Sequence, residues 1–197
     1  YSTNCTRLFQ ANGGKVYISD GEFSNENTES EYGAKYLLNH IDPQKEAGLI
    51  EVSGGVFKGF SPAESSSENP VMNFVKDGYS SIENGGSFFV LPETVEAVAG
   101  KQEELAEALS SGKSNIFLAE GTYKFPSGLF SSEDVITCAP GTVFEGNSKL
   151  NINGATIIGA KFSNPGGTAV DQTINGTLKD CTFEGYNALR YAYAGET

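Results

Sequence analysis

The sequence predicts an all-β chain arranged as a parallel β-helix, a solenoid of stacked coils, with one short capping α-helix. Three observations carry that prediction. One short pattern recurs five times: an apolar residue, a second apolar residue two positions on, a small residue, and an aromatic two further. Gly accounts for 24 of the 197 residues and Pro for only 7, with no three-residue period, so the chain is rich in turns but not collagen-like. A single segment, near the middle, switches to helical spacing.

The copies of the pattern are Val16, Ile18, Gly21, Phe23; Ile50, Val52, Gly55, Phe57; Ile116, Leu118, Gly121, Tyr123; Ala155, Ile157, Ala160, Phe162; and Gly176, Leu178, Cys181, Phe183. Alternation at period two describes a strand with one buried face, and the small residue allows the tight bend before the aromatic returns to the core. Each copy is too short to bury its own face, so the copies are expected to stack as parallel strands with like residues in ladders. The segment from Gly141 to Ile152, with Val143, Phe144, Leu150 and Ile152, can supply a further coil. An antiparallel sandwich of short strands is the competing architecture. Asn25, Asn27, Asn84, Asn147, Asn151, Asn153 and Asn164 fall at predicted turns, where Asn tolerates left-handed backbone.

Between Glu93 and Ser111, Val95, Val98, Leu105, Ala108 and Leu109 lie near helical spacing and Gly112 follows as a stop, which predicts a helix from about Lys101 to Ser110. A helix there can cover the open end of a β-helix, hiding an edge that would pair with other chains. Pro92 marks a boundary, dividing the chain into a strand-rich unit, 1–92, and a helix-capped β-helix, 93–197. The fifth copy ends fourteen residues before Thr197, so the second solenoid reads as incomplete at its C-terminal end.

Charge narrows the function classes. Thirteen Lys and Arg against 25 Asp and Glu give a net charge of -12, which repels phosphate backbones and anionic lipid. Nucleic acid and membrane are therefore not expected partners; neutral or basic ones are. No stretch of about 18 apolar residues occurs, and residues 1–7 lack the layout of a signal peptide. The start at Tyr1 rather than Met reads as a processed or excerpted chain. Cys5, Cys138 and Cys181 are odd in number, widely spaced and accompanied by one histidine, His40, so buried reduced thiols are expected rather than a zinc site or disulfide framework.

A polysaccharide-cleaving β-helix needs clustered carboxylates and a basic residue beside them. The acidic residues near strand exits, Asp20 and Glu22 around Gly21, Glu120 beside Gly121, Asp180 and Glu184 around Cys181, read instead as solvated turn carboxylates. Arg7 and Arg190 are the only arginines, and His40 has only Asp42 as a nearby acid. Gly54-Gly55, Gly85-Gly86 and Gly166-Gly167 lack the following helix and lysine of a phosphate loop and read as turns. Asn4-Cys5-Thr6 and Asn175-Gly176-Thr177 match the glycosylation pattern by chance. No catalytic, cofactor-binding or metal-binding residue is assigned. Tyr186, Arg190, Tyr191 and Tyr193 form the one aromatic cluster that can stack on a sugar or a partner subunit, against the plainer role of continuing the core.

Two resemblances add to this reading. Tyr36-Leu-Leu-Asn39-His40-Ile-Asp42, Ile50-Glu-Val-Ser-Gly54-Gly55-Val-Phe57-Lys-Gly-Phe60-Ser-Pro62-Ala and Asn73-Phe74-Val-Lys-Asp77-Gly78-Tyr79 are similar to a module of virion fibre proteins of gut bacteriophages, including crAss-like phages. The likeness covers Val16 to Pro92 and departs at His40, Pro43 and the Ser61–Asn69 loop. Gln102-Glu-Glu-Leu105-Ala-Glu-Ala-Leu109 and Ile116-Phe-Leu-Ala-Glu-Gly121-Thr-Tyr123 resemble the opening of pectin-lyase-like right-handed parallel β-helix domains. The first resemblance implies a structural virion component: a homotrimeric head or tail fibre at the virion surface, in contact with other virion proteins and with a host-surface glycan where it adheres. The alternative is an extracellular or cell-surface carbohydrate-active β-helix of a gut bacterium, either a polysaccharide-degrading enzyme or an adhesin.

Overall fold

Alternating apolar residues interrupted by glycine make short strands, because the chain gains a buried face every second residue and loses it wherever the backbone bends. The computed structural model describes residues 8–11, 14–24, 37–40, 49–65, 72–126, 128–146, 152–171 and 176–190, with the backbone alone at 168–171 and 187–190. Over those residues the chain is mostly β with one α-helix, and it divides into two compact units, Tyr1–Glu93 and Thr94–Thr197.

In the first unit, strands β1 (Phe9–Ala11), β2 (Lys15–Ile18) and β3 (Glu22–Ser24) pair in parallel with β4 (Leu38–His40), β5 (Leu49–Val52) and β6 (Val56–Lys58) respectively. The register sets Val16 against Ile50, Ile18 against Val52, and Phe23 against Phe57, so the first two copies of the sequence pattern coincide at each strand position. The Phe23 and Phe57 rings stack with centroids 4.9 Å apart and planes 25° from parallel. Val75 continues the arrangement by bridging Val52 in parallel, flanked by hydrogen bonds from Val52 N to Phe74 O and from Lys76 N to Val52 O.

The remainder of this unit departs from the repeat. Strands β7 (Tyr79–Asn84) and β8 (Ser87–Pro92) form an antiparallel hairpin, and β8 also pairs antiparallel with β6, setting Phe88 opposite Phe57. The two-residue turn needs positive φ at both positions, which Gly85 (+59°) and Gly86 (+80°) supply without a side-chain penalty. A search for period two passes over β8 because Phe88, Phe89, Val90 and Leu91 form a continuous apolar run.

The second unit opens with β9 (Ala97–Ala99) and α1 (Gln102–Ser110), within one residue of the helix expected from the sequence. Glu104 reaches back to accept the Gly100 N–H at 2.8 Å, and Leu105, Ala108 and Leu109 face the core. Gly112, at φ +79°, closes the helix: its N–H donates to Leu109 O and the Lys113 N–H donates to Ala108 O. Two wholly parallel sheets follow, which rules out an antiparallel sandwich for this unit. One runs β9, β10 (Asn115–Leu118), β12 (Val135–Cys138), β14 (Thr156–Ile158), β16 (Thr177–Lys179); the other runs β11 (Thr122–Lys124), β13 (Val143–Glu145), β15 (Lys161–Asp171), β17 (Thr182–Arg190).

Register turns these sheets into ladders of like residues. Ile116, Ile136, Ile157 and Leu178 align across the first sheet, and Tyr123, Phe144, Phe162 and Phe183 across the second. Ring centroids are 5.9 Å apart from Tyr123 to Phe144, then 5.5 Å and 5.5 Å along the rest of the ladder. Ile116, Ile136, Ile157, Phe144 and Phe162 have no exposed surface. The copy of the pattern through Ile136, Cys138, Gly141 and Phe144 begins earlier than the Gly141–Ile152 segment expected from the sequence. It carries one additional corner residue, Thr142, which is buried with its hydroxyl donating to Ala119 O.

The repeat also differs from its sequence alignment in phase. The third copy's first apolar residue, Ile116, lies in the ladder with the fourth copy's second, Ile157, while their aromatics Tyr123 and Phe162 still align through Phe144. Corners of unequal length absorb the offset. The backbone takes the strain at Asn153 (φ +45°) and Asp180 (φ +52°), residue types that bear left-handed geometry best after glycine.

The core of the second unit contains two groups that titrate abnormally. Tyr123, almost fully buried, donates its hydroxyl toward Ala99 O (3.0 Å) and Ala119 O (2.9 Å), and burial pushes its ionisation up to about 12. Burial, then the Cys181 thiol nearby, pushes Cys138 up to about 12 as well. Both folded-state values lie above the ordinary ones of 10.0 and 9.0, so the stabilisation is complete below those values and is lost as pH rises toward 12. Denaturant melts should show falling stability from about pH 9 to pH 12. A Tyr123→Phe, Cys138→Ala double variant should flatten that slope; an unchanged slope would assign it elsewhere.

Candidate functional site

Three of the acidic residues that the sequence placed at strand exits, Glu22, Glu184 and Asp20, have structural partners. Glu22 Oε1 lies 2.6 Å from Lys58 Nζ, and Glu184 Oε2 lies 2.6 Å from Lys161 Nζ. In both units the pair spans a diagonal of adjacent parallel strands outside a stacked phenylalanine pair. Glu184 also accepts the Ser163 hydroxyl at 3.2 Å, and these hydrogen bonds, led by that from Lys161, hold its carboxyl below the ordinary range. Asp20 accepts the N–H of Gly21.

Two carboxylates that the sequence reading passed over do similar work. Glu96 accepts from Ser114 N (2.7 Å), Ser114 Oγ (3.0 Å) and Asn115 N (3.1 Å), fixing the entry to β10, and those hydrogen bonds lower its ionisation. Asp134, buried at the entry to β12, accepts from Ser131 N (2.7 Å) and Ser131 Oγ (3.0 Å). A side chain that secures a strand entry has no signature in a single sequence beyond an acid near a serine. Among the described residues, no group of three or more His, Cys, Asp or Glu is placed to hold a metal ion.

Of the aromatic cluster expected from the sequence, Tyr186, Arg190, Tyr191 and Tyr193, the structure describes only Tyr186 with its side chain and the backbone of Arg190. Tyr186 projects from β17 with 89% of its surface exposed, opposite a register shift in β15 between Asn164 and Thr168. Arg190 ends β17 in backbone register with Asp171. Tyr191 and Tyr193 lie outside the described residues, as do Cys5, Arg7, Asp42 and both glycosylation-like asparagines. His40 ends β4, half-buried, at a small cleft of about 90 Å³ shared with Leu49, Ile50, Met72, Asn73 and Phe74.

Cys138 is buried and Cys181 half-buried, both with free thiols; Cys181 Sγ lies 3.3 Å from Lys179 O. With its ionisation near 12, Cys138 carries on the order of one thiolate in 10⁵ at neutral pH. In a Cys5→Ser, Cys181→Ser background, Ellman's reagent should therefore leave Cys138 unmodified until the chain is denatured. Modification at the rate of an exposed thiol would place Cys138 outside the core.

The first unit contains a larger cleft, of about 450 Å³, lined by Gly59, Phe60, Ser61, Ala63, Glu64, Ser81 and Phe88. The short 3₁₀ turn Pro62–Glu64, capped by Ser61 Oγ accepting from Ala63 N, presents Ser61 and Glu64 to it. Ser61 Oγ lies 3.2 Å from Ser81 Oγ on the hairpin strand β7. Phe60 packs edge-on against Phe57, with centroids 5.4 Å apart. No spacing rule finds this group, because the hairpin brings Ser81 and Phe88 against the 59–64 segment from 17 or more residues away in the chain.

Comparison of the chain with protein-family models, with curated proteins and with solved structures returns no match. No helix among the described residues is long and apolar enough to cross a membrane.

Proposed function

We propose that the chain is a structural segment of a bacteriophage virion, an elongated homotrimeric head or tail fibre, in which the second unit is a right-handed parallel β-helix. The observation that carries this reading is the pair of parallel ladders, Ile116, Ile136, Ile157, Leu178 and Tyr123, Phe144, Phe162, Phe183, repeated at about one coil per 18 to 21 residues. Such stacking makes a stiff rod, since backbone hydrogen bonds run along its axis, and trimerising rods covers faces and edges that would otherwise be exposed. The carboxylates fit a scaffold: Glu22, Glu96, Asp134 and Glu184 are occupied with lysines, serines and backbone N–H groups. Its partners in this reading are two further copies, other virion proteins and a host-surface glycan, with neither nucleic acid nor membrane among them.

Antibodies raised against the chain should decorate filaments on purified virions in electron micrographs. Decoration of bacterial cells alone would place the chain on a bacterial surface instead. The second reading, a carbohydrate-active β-helix, draws on the same parallel sheets. It predicts release of reducing ends or unsaturated products from a glycan panel, lost on changing Asp180 or Glu184.

A further inference from the structure

We infer that the cleft between Phe60, Ser61, Glu64, Ser81 and Phe88 is a binding site for a neutral sugar. The inference rests on the adhesive part of the proposed function, and it names the place and the ligand chemistry. A cleft of about 450 Å³ falls within the range of roughly 300–1,000 Å³ usual for small-ligand sites. Its wall combines two half-buried phenylalanines with two hydroxyls and one carboxylate. Aromatic rings offer an apolar face to sugar C–H groups, while serine hydroxyls donate to and accept from sugar O–H groups and a carboxylate accepts from them.

Charge selects within that class. Glu64 is the one ionisable residue in the lining, no Lys or Arg contributes, and the chain as a whole carries -12. Uronates, sialylated and phosphorylated sugars are therefore repelled, whereas an uncharged ring can donate to the Glu64 carboxylate at no Coulombic cost. The hydroxyls are already oriented. Ser61 Oγ is fixed by Ala63 N and by Ser81, and the contact with Ser61 uses only one of the hydrogen-bonding positions of Ser81 Oγ. Phe60 is held edge-on by Phe57 and Phe88 by its place in β8, so little side-chain entropy is lost on binding.

The test is titration of the isotope-labelled chain, followed by amide NMR, with lactose, cellobiose and N,N′-diacetylchitobiose, and with glucuronate as the charged arm. Amide shifts at Ser61, Glu64, Ser81 and Phe88 are expected with at least one neutral disaccharide and not with glucuronate. Ser81→Ala, which leaves the aromatic packing intact, should weaken binding about five- to tenfold while preserving the remaining spectrum. No shift at these four residues with any neutral sugar at tens of millimolar, or a preference for glucuronate, overturns the site. A neutral disaccharide bound here, with antibodies to the chain decorating bacterial cells and no virion filament, would sink the fibre reading and leave the site standing; decorated virion filaments with no sugar bound would do the reverse.

Discussion

Phe162→Ala is expected to lower the stability of the second unit by about 3–5 kcal/mol, the usual cost of emptying a large core site that cannot collapse. Phe162 has no exposed surface and lies between two rings, Phe144 and Phe183, each 5.5 Å away and within 19° of parallel. Its position in β15 is fixed on one side by β13 and on the other by β17, so neither neighbour can move in to fill the gap without breaking ladder hydrogen bonds. Phe57→Ala should behave alike in the first unit, where Phe57 is equally buried and touches Phe23 and Phe60. Removing the exposed Glu184 or Asp20 should leave the denaturation midpoint almost unchanged, because solvated ion pairs and turn carboxylates contribute little. Equal, small effects for all four variants in equilibrium unfolding would mean that the rings are not in a core.

Gly54→Ala is expected to cost at least about 3 kcal/mol in the first unit, although it adds one methyl group. A Cβ on Gly54 would lie 2.0 Å from the carbonyl oxygen of Ser19, and the atom it meets is backbone rather than the end of a flexible side chain. Relief requires β2–β3 and β5–β6 to separate at the bend where the paired strands approach, near the Ser53 N to Ile18 O hydrogen bond of 2.7 Å. Gly85→Ala is the matched control. Its methyl would meet nothing within 4 Å, so only the positive φ of +59° opposes it and about 1–2 kcal/mol is expected. Similar losses for the two variants, measured by urea denaturation, would show that the two backbone segments are not in close contact at Gly54.

These two residues also show how much of the fold was legible. Gly54 and Phe162 belong to the repeated pattern or adjoin it, and alternation at period two is enough to assign a buried aromatic and a tight bend. The helix was legible because Leu105, Ala108 and Leu109 share one face and Gly112 ends it. The copy through Ile136 and Phe144 is less legible because Thr142 lengthens the bend between its strands by one residue, which breaks the fixed spacing of the pattern. The hairpin of β7 and β8 was invisible for another reason: its pairing direction is set by a two-glycine turn and by contact with β6, not by any periodicity of its own.

The candidate site was scarcely legible. Tyr186 is exposed, and Phe60, Ser61, Glu64, Ser81 and Phe88, which line the cleft, look unremarkable one at a time. Folding alone brings them to one cleft. Glu96 and Asp134 teach the same lesson in the second unit, since an acid that anchors a strand entry is indistinguishable in sequence from a solvated one.

Absolute mass in solution tests the fibre reading most directly, measured by light scattering on the protein that carries this chain, with electrophoresis before and after boiling. The account predicts a trimer that withstands detergent until heated, near three times 20.9 kDa for these 197 residues. A monomeric protein would contradict it.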